Sequence, residues 1–291
     1  IVALKLNDNQ LMHDIFYKCE DPILQDQLAF LLARQVIVFN DEEDTDMDDD
    51  RRDHLVDLMT NTTLFKRFED ISKSLSKSKA RTPDDVLQLQ AQLGKISTNH
   101  ANKHMTLMAK SFVAAFHNAA LHDDLYYTAP RGDEIVVQNK GVGQAVATAA
   151  ISMLYLWDIE NGPNEINKWF DEKAGIYPRM GALTGYGIIC AAVRSEFDPA
   201  LAQLSEFIDQ DDENLQIGAI FGLAIAYAGS NRKDVVKLIK PLLLNENSNP
   251  RLVAYASLAI GLIYVGQLRQ GSITAIAEKI INYPESELKD Q

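Results

Sequence analysis

The sequence has few cysteines, no long apolar run and a shortage of positive charge. Its two cysteines, Cys19 and Cys190, lie far apart on apolar segments. We therefore expect reduced, buried thiols in a cytosolic or nuclear protein rather than a disulfide. No stretch of about 18 apolar residues occurs, so the sequence predicts no membrane-spanning helix.

The shortage of positive charge restricts the classes of partner. The chain has 28 Lys and Arg residues against 41 Asp and Glu residues, which gives a formal net charge of −13. Binding to a phosphate backbone needs clustered cations that release counterions, so nucleic acid is an unsuitable partner. An anionic membrane surface is excluded for the same reason, whereas a basic protein partner suits this charge.

The remaining composition is that of a globular protein. Hydrophobic residues make up 46% of the 291 residues, which is enough to build a large core. The chain begins at Ile1 rather than at a methionine, and it ends at Gln291 just after a helical pattern. We therefore expect it to be part of a longer polypeptide.

The apolar residues recur at helical spacing, and strand signals are poor, so the predicted fold class is all-α. Residues 1–40 form a predicted helical segment, in which Asp21 is an N-cap and Pro22 the first helical residue. Residues 54–142 form a second helical region, interrupted by a basic linker near residues 72–83.

An acidic block separates these two helical regions. Eight of the ten residues from Asp41 to Asp50 are acidic, and such a block repels itself, so residues 41–53 are predicted to form a mobile loop. A calcium site or a docking tail for a basic partner is the functional alternative. The calcium site is disfavoured because the glycine at the sixth position of an EF-hand loop is missing.

An internal repeat gives the most specific signal in the sequence. From about residue 143 the chain is self-similar with a period of 37 residues, and residues 143–291 contain about four copies. The aligned positions are Gly181, Gly218 and Tyr255, then Gly185, Gly222 and Ala259. A second apolar helix follows each copy, at residues 198–208, 233–243 and 271–281. An earlier, weaker copy covers residues 144–170, and its register stays open.

The paired glycines have a physical explanation. A glycine inside a helix costs roughly 1 kcal/mol relative to alanine, so its return at one register needs a packing reason. Small residues at i and i+4 keep one helix face flat, which lets neighbouring helices approach closely. Helix pairs of this kind stack into a curved solenoid, because no single pair can bury its apolar face alone.

The segment GAIFGLAIAYAGSNRKDVVKLIKPLL (218–243) resembles the proteasome/cyclosome repeat. Residues 8–34, 111–121, 154–162 and 193–208 are similar to the smaller of the two scaffold families of the proteasome base. The resemblance implies an α-solenoid that is part of a toroid and docks on the ATPase ring. It also implies partners, namely ubiquitin, the ubiquitin-like domains of shuttle factors and a deubiquitinase, and it implies no enzymatic activity and no cofactor.

The resemblance also implies two binding patches. The ubiquitin and shuttle-factor patch falls at Ser272, Glu278 and Asn282, of which only Glu278 is acidic. The deubiquitinase patch is predicted at the following residues: Asp158, Glu160, Asn164 and Glu165. Carboxylates around an apolar area complement the basic, apolar face of a ubiquitin-like fold.

Three other interpretations of the sequence compete with a receptor. A purely architectural segment without ubiquitin binding fits the uncharged residues at Ser272 and Asn282. An unrelated helical-repeat adaptor, such as one built from HEAT units, would lack the paired glycines. An enzyme is the least favoured, because we find no catalytic constellation, and His100 and His104 lack the glutamate and third ligand of a zinc motif.

Overall fold

The structure is a computed structural model that describes residues 2–6, 8–39, 47–75, 79–87, 100–128, 134–245, 248–267 and 269–282. Every regular element within these ranges is a helix, which confirms the all-α fold class. The helices form a small N-terminal unit and a longer array of stacked helices, each with its own hydrophobic core.

The N-terminal unit contains helices α1 to α5: Val2–Leu6, Asn9–Tyr17, Pro22–Arg34, Asp49–Thr60 and Leu64–Ser74. Helix α6, Pro83–Leu87, follows them and packs on α7 of the array, His100–His117. The core of the N-terminal unit includes Phe16, Ala29 and Leu55. The predicted start of α3 is confirmed, because the Asp21 carboxylate accepts a hydrogen bond of 2.9 Å from the Ile23 amide and Pro22 is the first helical residue.

The predicted acidic loop over residues 41–53 is wrong at its C-terminal end. Helix α4 begins at Asp49, so residues 49–53 are helical, while residues 40–46 lie outside the described residues. Acidic side chains are favourable in a first helical turn, where the helix dipole is positive. Arg52 also pairs with Asp49 at 2.7 Å, which offsets part of the negative charge.

The predicted basic linker near residues 72–83 is shorter than expected, and residues 76–78 within it lie outside the described part of the chain. Helix α5 continues to Ser74, and α6 begins at Pro83. The Thr82 hydroxyl accepts from the Asp85 amide at 3.2 Å, and the Asp85 carboxylate accepts from the Thr82 amide at 3.2 Å. This reciprocal capping fixes where α6 starts.

The array contains α7 to α16: His100–His117, Glu134–Gln138, Val142–Ser152, Gly162–Ile166, Ile176–Ile189, Pro199–Leu204, Glu213–Ala226, Lys233–Leu244, Pro250–Ile263 and Gln270–Ile281. The odd-numbered helices pack side by side in one layer, and α8, α10, α12 and α14 pack against that layer. Helices α11, α13 and α15 begin 37 residues apart, as the repeat predicts. Helix α7 packs on α9 and extends the layer beyond the predicted repeat region.

The close approach of α11 and α13 explains the paired glycines of α13, whereas the pair on α11, Gly181 and Gly185, faces α9. A Cβ atom on Gly218 would lie 2.6 Å from the Met180 carbonyl oxygen, and one on Gly222 would lie 2.5 Å from the Leu183 carbonyl oxygen. These distances are too short for any side chain, so the two backbones touch. The predicted packing role of the paired glycines is therefore confirmed.

Main-chain hydrogen bonds link the chain segments that follow successive helices of the layer. The Ala120 amide donates to Met153, Trp157 donates to Ile189, and Gly229 donates to Leu262, at 2.9 to 3.0 Å. After α11 the end of α4 supplies the partner instead. The Arg194 amide donates to the Thr60 carbonyl at 2.8 Å, and the Asn61 side chain donates to the Ala192 carbonyl at 2.9 Å. The N-terminal unit is thereby docked on the middle of the array.

Candidate partner-binding surfaces

The first predicted patch lies on α16 and its C-terminal end. Glu278 and Asn282 are four residues apart, so they lie on the same side of the helix, and both are exposed. Ser272 is six residues before Glu278, which rotates it by about 120° around the helix axis. The structure therefore brings together two of the three predicted residues.

Helix α16 is exposed on most of its surface. None of its residues is buried, and Ile273, Ile280 and Ile281 are 54%, 61% and 79% exposed. Its attachment to α14 includes a hydrogen bond of 2.8 Å from the Lys279 ammonium group to the Asn245 carbonyl. The patch is thus one carboxylate among exposed isoleucines.

The second predicted patch opens into a cleft of about 720 Å³, which we call the α5 cleft. Three chain segments line it, and only two of them belong to the repeat array. They are residues 62–69 of the N-terminal unit, residues 157–161 before α10, and residues 195–199 before α12. Glu160 lines this cleft and is exposed.

Asp158 has a different place from the one predicted. Its side chain is buried, and its carboxylate accepts hydrogen bonds from the Asn161 amide at 3.0 Å and from the Asn161 side chain at 3.2 Å. It also lies 3.4 Å from the His122 Nε2 atom. Asp158 therefore shapes the turn that presents Glu160, as aspartates in tight turns commonly do, and offers little surface to a partner.

Asn164 and Glu165 are exposed on α10, and neither lines the α5 cleft. Burial raises the pKa of Tyr155 to about 12, with further contributions from the negative charge of Glu165 and from their hydrogen bond. Glu165 is therefore tied to its neighbour across the turn, whereas Glu160 is left free to face the cleft.

One wall of the α5 cleft rests on a histidine. The Phe65 ring of α5 stacks on the His122 imidazole, with ring centroids 4.2 Å apart and planes inclined by 10°. Burial lowers the pKa of His122, although the carboxylates of Asp158, Glu69 and Glu165 act in the opposite direction. The flat imidazole ring gives α5 a surface on which to pack.

Phe65, Glu69 and Phe197 are among the residues of the α5 cleft that sequence reasoning missed. The first two lie in a helix that is about 90 residues from Glu160 in sequence, so no local pattern connects them. A signal for Phe197 was present, since it is a large apolar residue inside the short polar segment before Pro199.

The two cysteines differ more than predicted. Both are free, but Cys190 is buried whereas Cys19 is only partly so. Burial raises the pKa of the Cys190 thiol to about 12, which makes it an unreactive core residue. Within the described ranges, no group of three or more His, Cys, Asp or Glu side chains is arranged to hold a metal ion.

The same ranges contain no helix that combines the length and the apolar character needed to cross a bilayer.

Residues 1–91 match the family described as the RPN1 N-terminal domain. The chain is similar to three curated proteins over nearly its whole length. It is 33% identical to the 26S proteasome non-ATPase regulatory subunit 2 of Dictyostelium discoideum over 96% of the chain and 30% of that protein. It is 30% identical to the 26S proteasome regulatory subunit rpn1 of Schizosaccharomyces pombe, over 100% of the chain and 32% of that protein. It is 29% identical to the 26S proteasome regulatory subunit rpn-1 of Neurospora crassa, over 97% of the chain and 31% of that protein. The chain thus spans about a third of the length of these relatives.

Proposed function

This chain belongs to the family of the 26S proteasome non-ATPase regulatory subunit 2, and on that premise we propose that it is a non-catalytic scaffold in the base of the proteasome regulatory particle. In this role it docks on the ATPase ring and works in the cytoplasm and nucleus. The observation that carries the proposal is the stacked array whose helices return every 37 residues, since such arrays present long surfaces to partners.

The α5 cleft is the proposed site for the ubiquitin-like domain of a deubiquitinase. Glu160 projects from a turn that is fixed by the buried Asp158 carboxylate, so its position is set before a partner arrives. Preorganised groups lose less conformational entropy on binding, which favours this patch. Asn164 and Glu165 extend the polar rim along α10.

The α16 patch is the proposed site for ubiquitin chains and the ubiquitin-like domains of shuttle factors. Glu278 supplies a carboxylate beside Ile281, which is 79% exposed, so charge and apolar surface are adjacent. Such an arrangement is complementary to a basic face with an apolar centre. Ser272 and Asn282 contribute polar contacts without charge.

A purely architectural segment without ubiquitin binding is the second candidate. It is favoured by the α16 patch, where Glu278 is the one carboxylate among the three predicted residues and Ser272 lies on another side of the helix. In that case the array serves only to hold the ATPase ring, and the exposed isoleucines of α16 contact neighbouring helices or subunits.

The test is an NMR titration of isotope-labelled ubiquitin, and separately of a deubiquitinase ubiquitin-like domain, with the whole chain. The charge reversals Glu160→Arg and Glu278→Arg probe the two patches. Glu206→Arg is the matched control, because Glu206 is an exposed carboxylate just after α12 that belongs to neither patch.

We expect saturable shifts on the apolar face of the labelled domains. Glu160→Arg should weaken binding of the deubiquitinase domain, and Glu278→Arg should weaken binding of ubiquitin. Glu206→Arg should weaken neither interaction. Flat titrations with a folded sample would refute the receptor function and leave the architectural segment. Equal weakening by all three reversals would show that only the net charge matters.

A further inference from the structure

The α5 cleft contains an aromatic side chain that is exposed to solvent. Phe197 is 87% exposed, the highest value among the large apolar residues in the described ranges. Burial of a phenylalanine side chain stabilises a protein, so a flexible loop would fold such a residue inward. Its exposure therefore has to be enforced by the rest of the loop.

The loop that carries Phe197 is fixed on both sides. On its N-terminal side, the Arg194 amide binds Thr60 at 2.8 Å, and the Arg194 guanidinium binds the Val36 carbonyl at 3.2 Å. On its C-terminal side, the Asp198 carboxylate accepts hydrogen bonds from the Tyr227 hydroxyl and, at 2.6 Å, from Arg232. Asp198 itself has a positive φ of 47°, and its side-chain contacts help to hold the loop in that conformation.

The surroundings of Phe197 are acidic. Glu69 and Glu160 line the α5 cleft, and Glu196 is exposed beside Phe197. Lys66 is the one cation among the described lining residues, and Lys73, which does not line the cleft, pairs with Glu69 at 2.6 Å. An aromatic side chain on a rigid loop, with charges at the rim, is the pattern of a binding hot spot. The charge suits a partner whose apolar face is bordered by lysine or arginine.

We infer that Phe197 is the apolar anchor of a composite docking site, in which α5 of the N-terminal unit forms one wall and the repeat array forms the other. The occupant is the basic, apolar face of a ubiquitin-like domain, so the inference rests on the function proposed above. Phe197 inserts into the apolar centre of that face. Glu160 and Glu69 pair with its basic border from opposite sides of the cleft.

The composite site is tested with Phe197→Ala and Glu69→Lys in the whole chain, titrated against the labelled deubiquitinase ubiquitin-like domain. Phe116→Ala is the matched control, because Phe116 is 69% exposed on α7 and does not line the cleft. Phe197→Ala should raise the Kd about tenfold or more, as loss of a hot-spot aromatic does. Glu69→Lys should raise it about threefold through loss of rim charge, and Phe116→Ala should leave it unchanged.

The outcomes separate the two proposals. Since Phe197 is almost fully exposed, its truncation should leave the thermal unfolding midpoint of the chain unchanged. If the wild-type chain binds, and Glu160→Arg weakens binding while Phe197→Ala and Glu69→Lys do not, the composite site is wrong and the receptor function stands. If the folded wild-type chain does not bind, the receptor function and the composite site are both refuted.

Discussion

The middle and the last unit of the array follow the same 37-residue plan but are held differently. In the middle, α11 and α13 touch through the backbone at Gly218 and Gly222, and the N-terminal unit docks on the segment that follows α11. In the last unit, a Cβ atom on Gly261 would meet open space, and α16 buries none of its residues.

This difference shows that units with the same sequence register need not be equally rigid. A common register places equivalent helices side by side, but close backbone contact and outside support determine how firmly the loops between them are held. The α5 cleft lies on the supported middle, and the α16 patch lies on the loosely held end. We therefore expect a preorganised site in the first case and an adaptable surface in the second.

The largest expected effect comes from placing a methyl group in the backbone contact between α11 and α13. Gly218→Ala places a methyl group against the Met180 main chain and forces α11 and α13 apart, which should lower the free energy of unfolding by about 2–3 kcal/mol. Gly261→Ala is the control and should raise it by roughly 0.5–1 kcal/mol, because alanine favours a helix and fits the open space. Urea unfolding measures both changes, and effects of the same sign would contradict the comparison.

The next effect concerns a tyrosine that returns with the repeat. The Tyr227 hydroxyl binds the Asp198 carboxylate and accepts from the Leu201 amide at 3.0 Å, so Tyr227→Phe leaves the Leu201 amide unpaired and leaves Arg232 as the remaining side-chain partner of Asp198. We expect a loss of about 1–3 kcal/mol in the free energy of unfolding.

Tyr264 is the equivalent residue of the last unit, 37 residues later, and within the described ranges its hydroxyl makes no hydrogen bond. Tyr264→Phe should therefore change stability by less than about 0.5 kcal/mol. Hydrogen exchange should show faster opening around Phe197 only in the Tyr227→Phe chain. Equal effects of the two substitutions would show that the loop is not held by Tyr227.

A smaller effect is expected at the contact between the N-terminal unit and the array. Asn61→Gly removes the hydrogen bond to Ala192 but accepts the positive φ of 60°, and should cost about 1 kcal/mol. Asn61→Ala also strains that backbone conformation and should cost about 1 kcal/mol more. Both substitutions should speed amide hydrogen exchange at Arg194 and leave exchange in α16 unchanged. If the protection of the Arg194 amide stays constant, the N-terminal unit does not stabilise this loop of the array.

The smallest effect is a dependence on pH. Burial lowers the pKa of His122 in the folded chain, so the unfolded chain binds a proton more readily as pH falls through the usual histidine range near 6.5. Stability is therefore complete above that value and decreases below it, with α5 exchanging faster because Phe65 stacks on the imidazole. His122→Gln should flatten this dependence between pH 7.5 and 5.5, and His104→Gln, at an exposed position, should not.

Much of the fold could be predicted because its signals are local or periodic. The glycine register follows from the energetic penalty of glycine in a helix, and it predicted the starts of α11, α13 and α15 relative to one another. Likewise, Asp21 before Pro22 determines a helix start through interactions that span only a few residues.

The candidate site could be predicted only in part, because its contacts connect distant parts of the chain. Glu160 was expected at a surface and is found there, but Asp158 in the same turn is buried against His122, which is 36 residues earlier. The wall formed by Phe65 follows from the docking of the N-terminal unit, and the loop of Phe197 is held in part by the same docking. No pattern in the sequence reports that docking.

The hydrogen bond between Asn61 and Ala192 also imposes an order of events during synthesis. The two residues are separated by 131 positions, and translation proceeds at about 5–20 residues per second. On a ribosome, the end of α4 therefore waits on the order of ten seconds for its partner to be made. During that interval the Thr60 carbonyl and the Asn61 side chain lack their partners in the array, so the N-terminal unit can complete its docking only after the segment that follows α11 has been made.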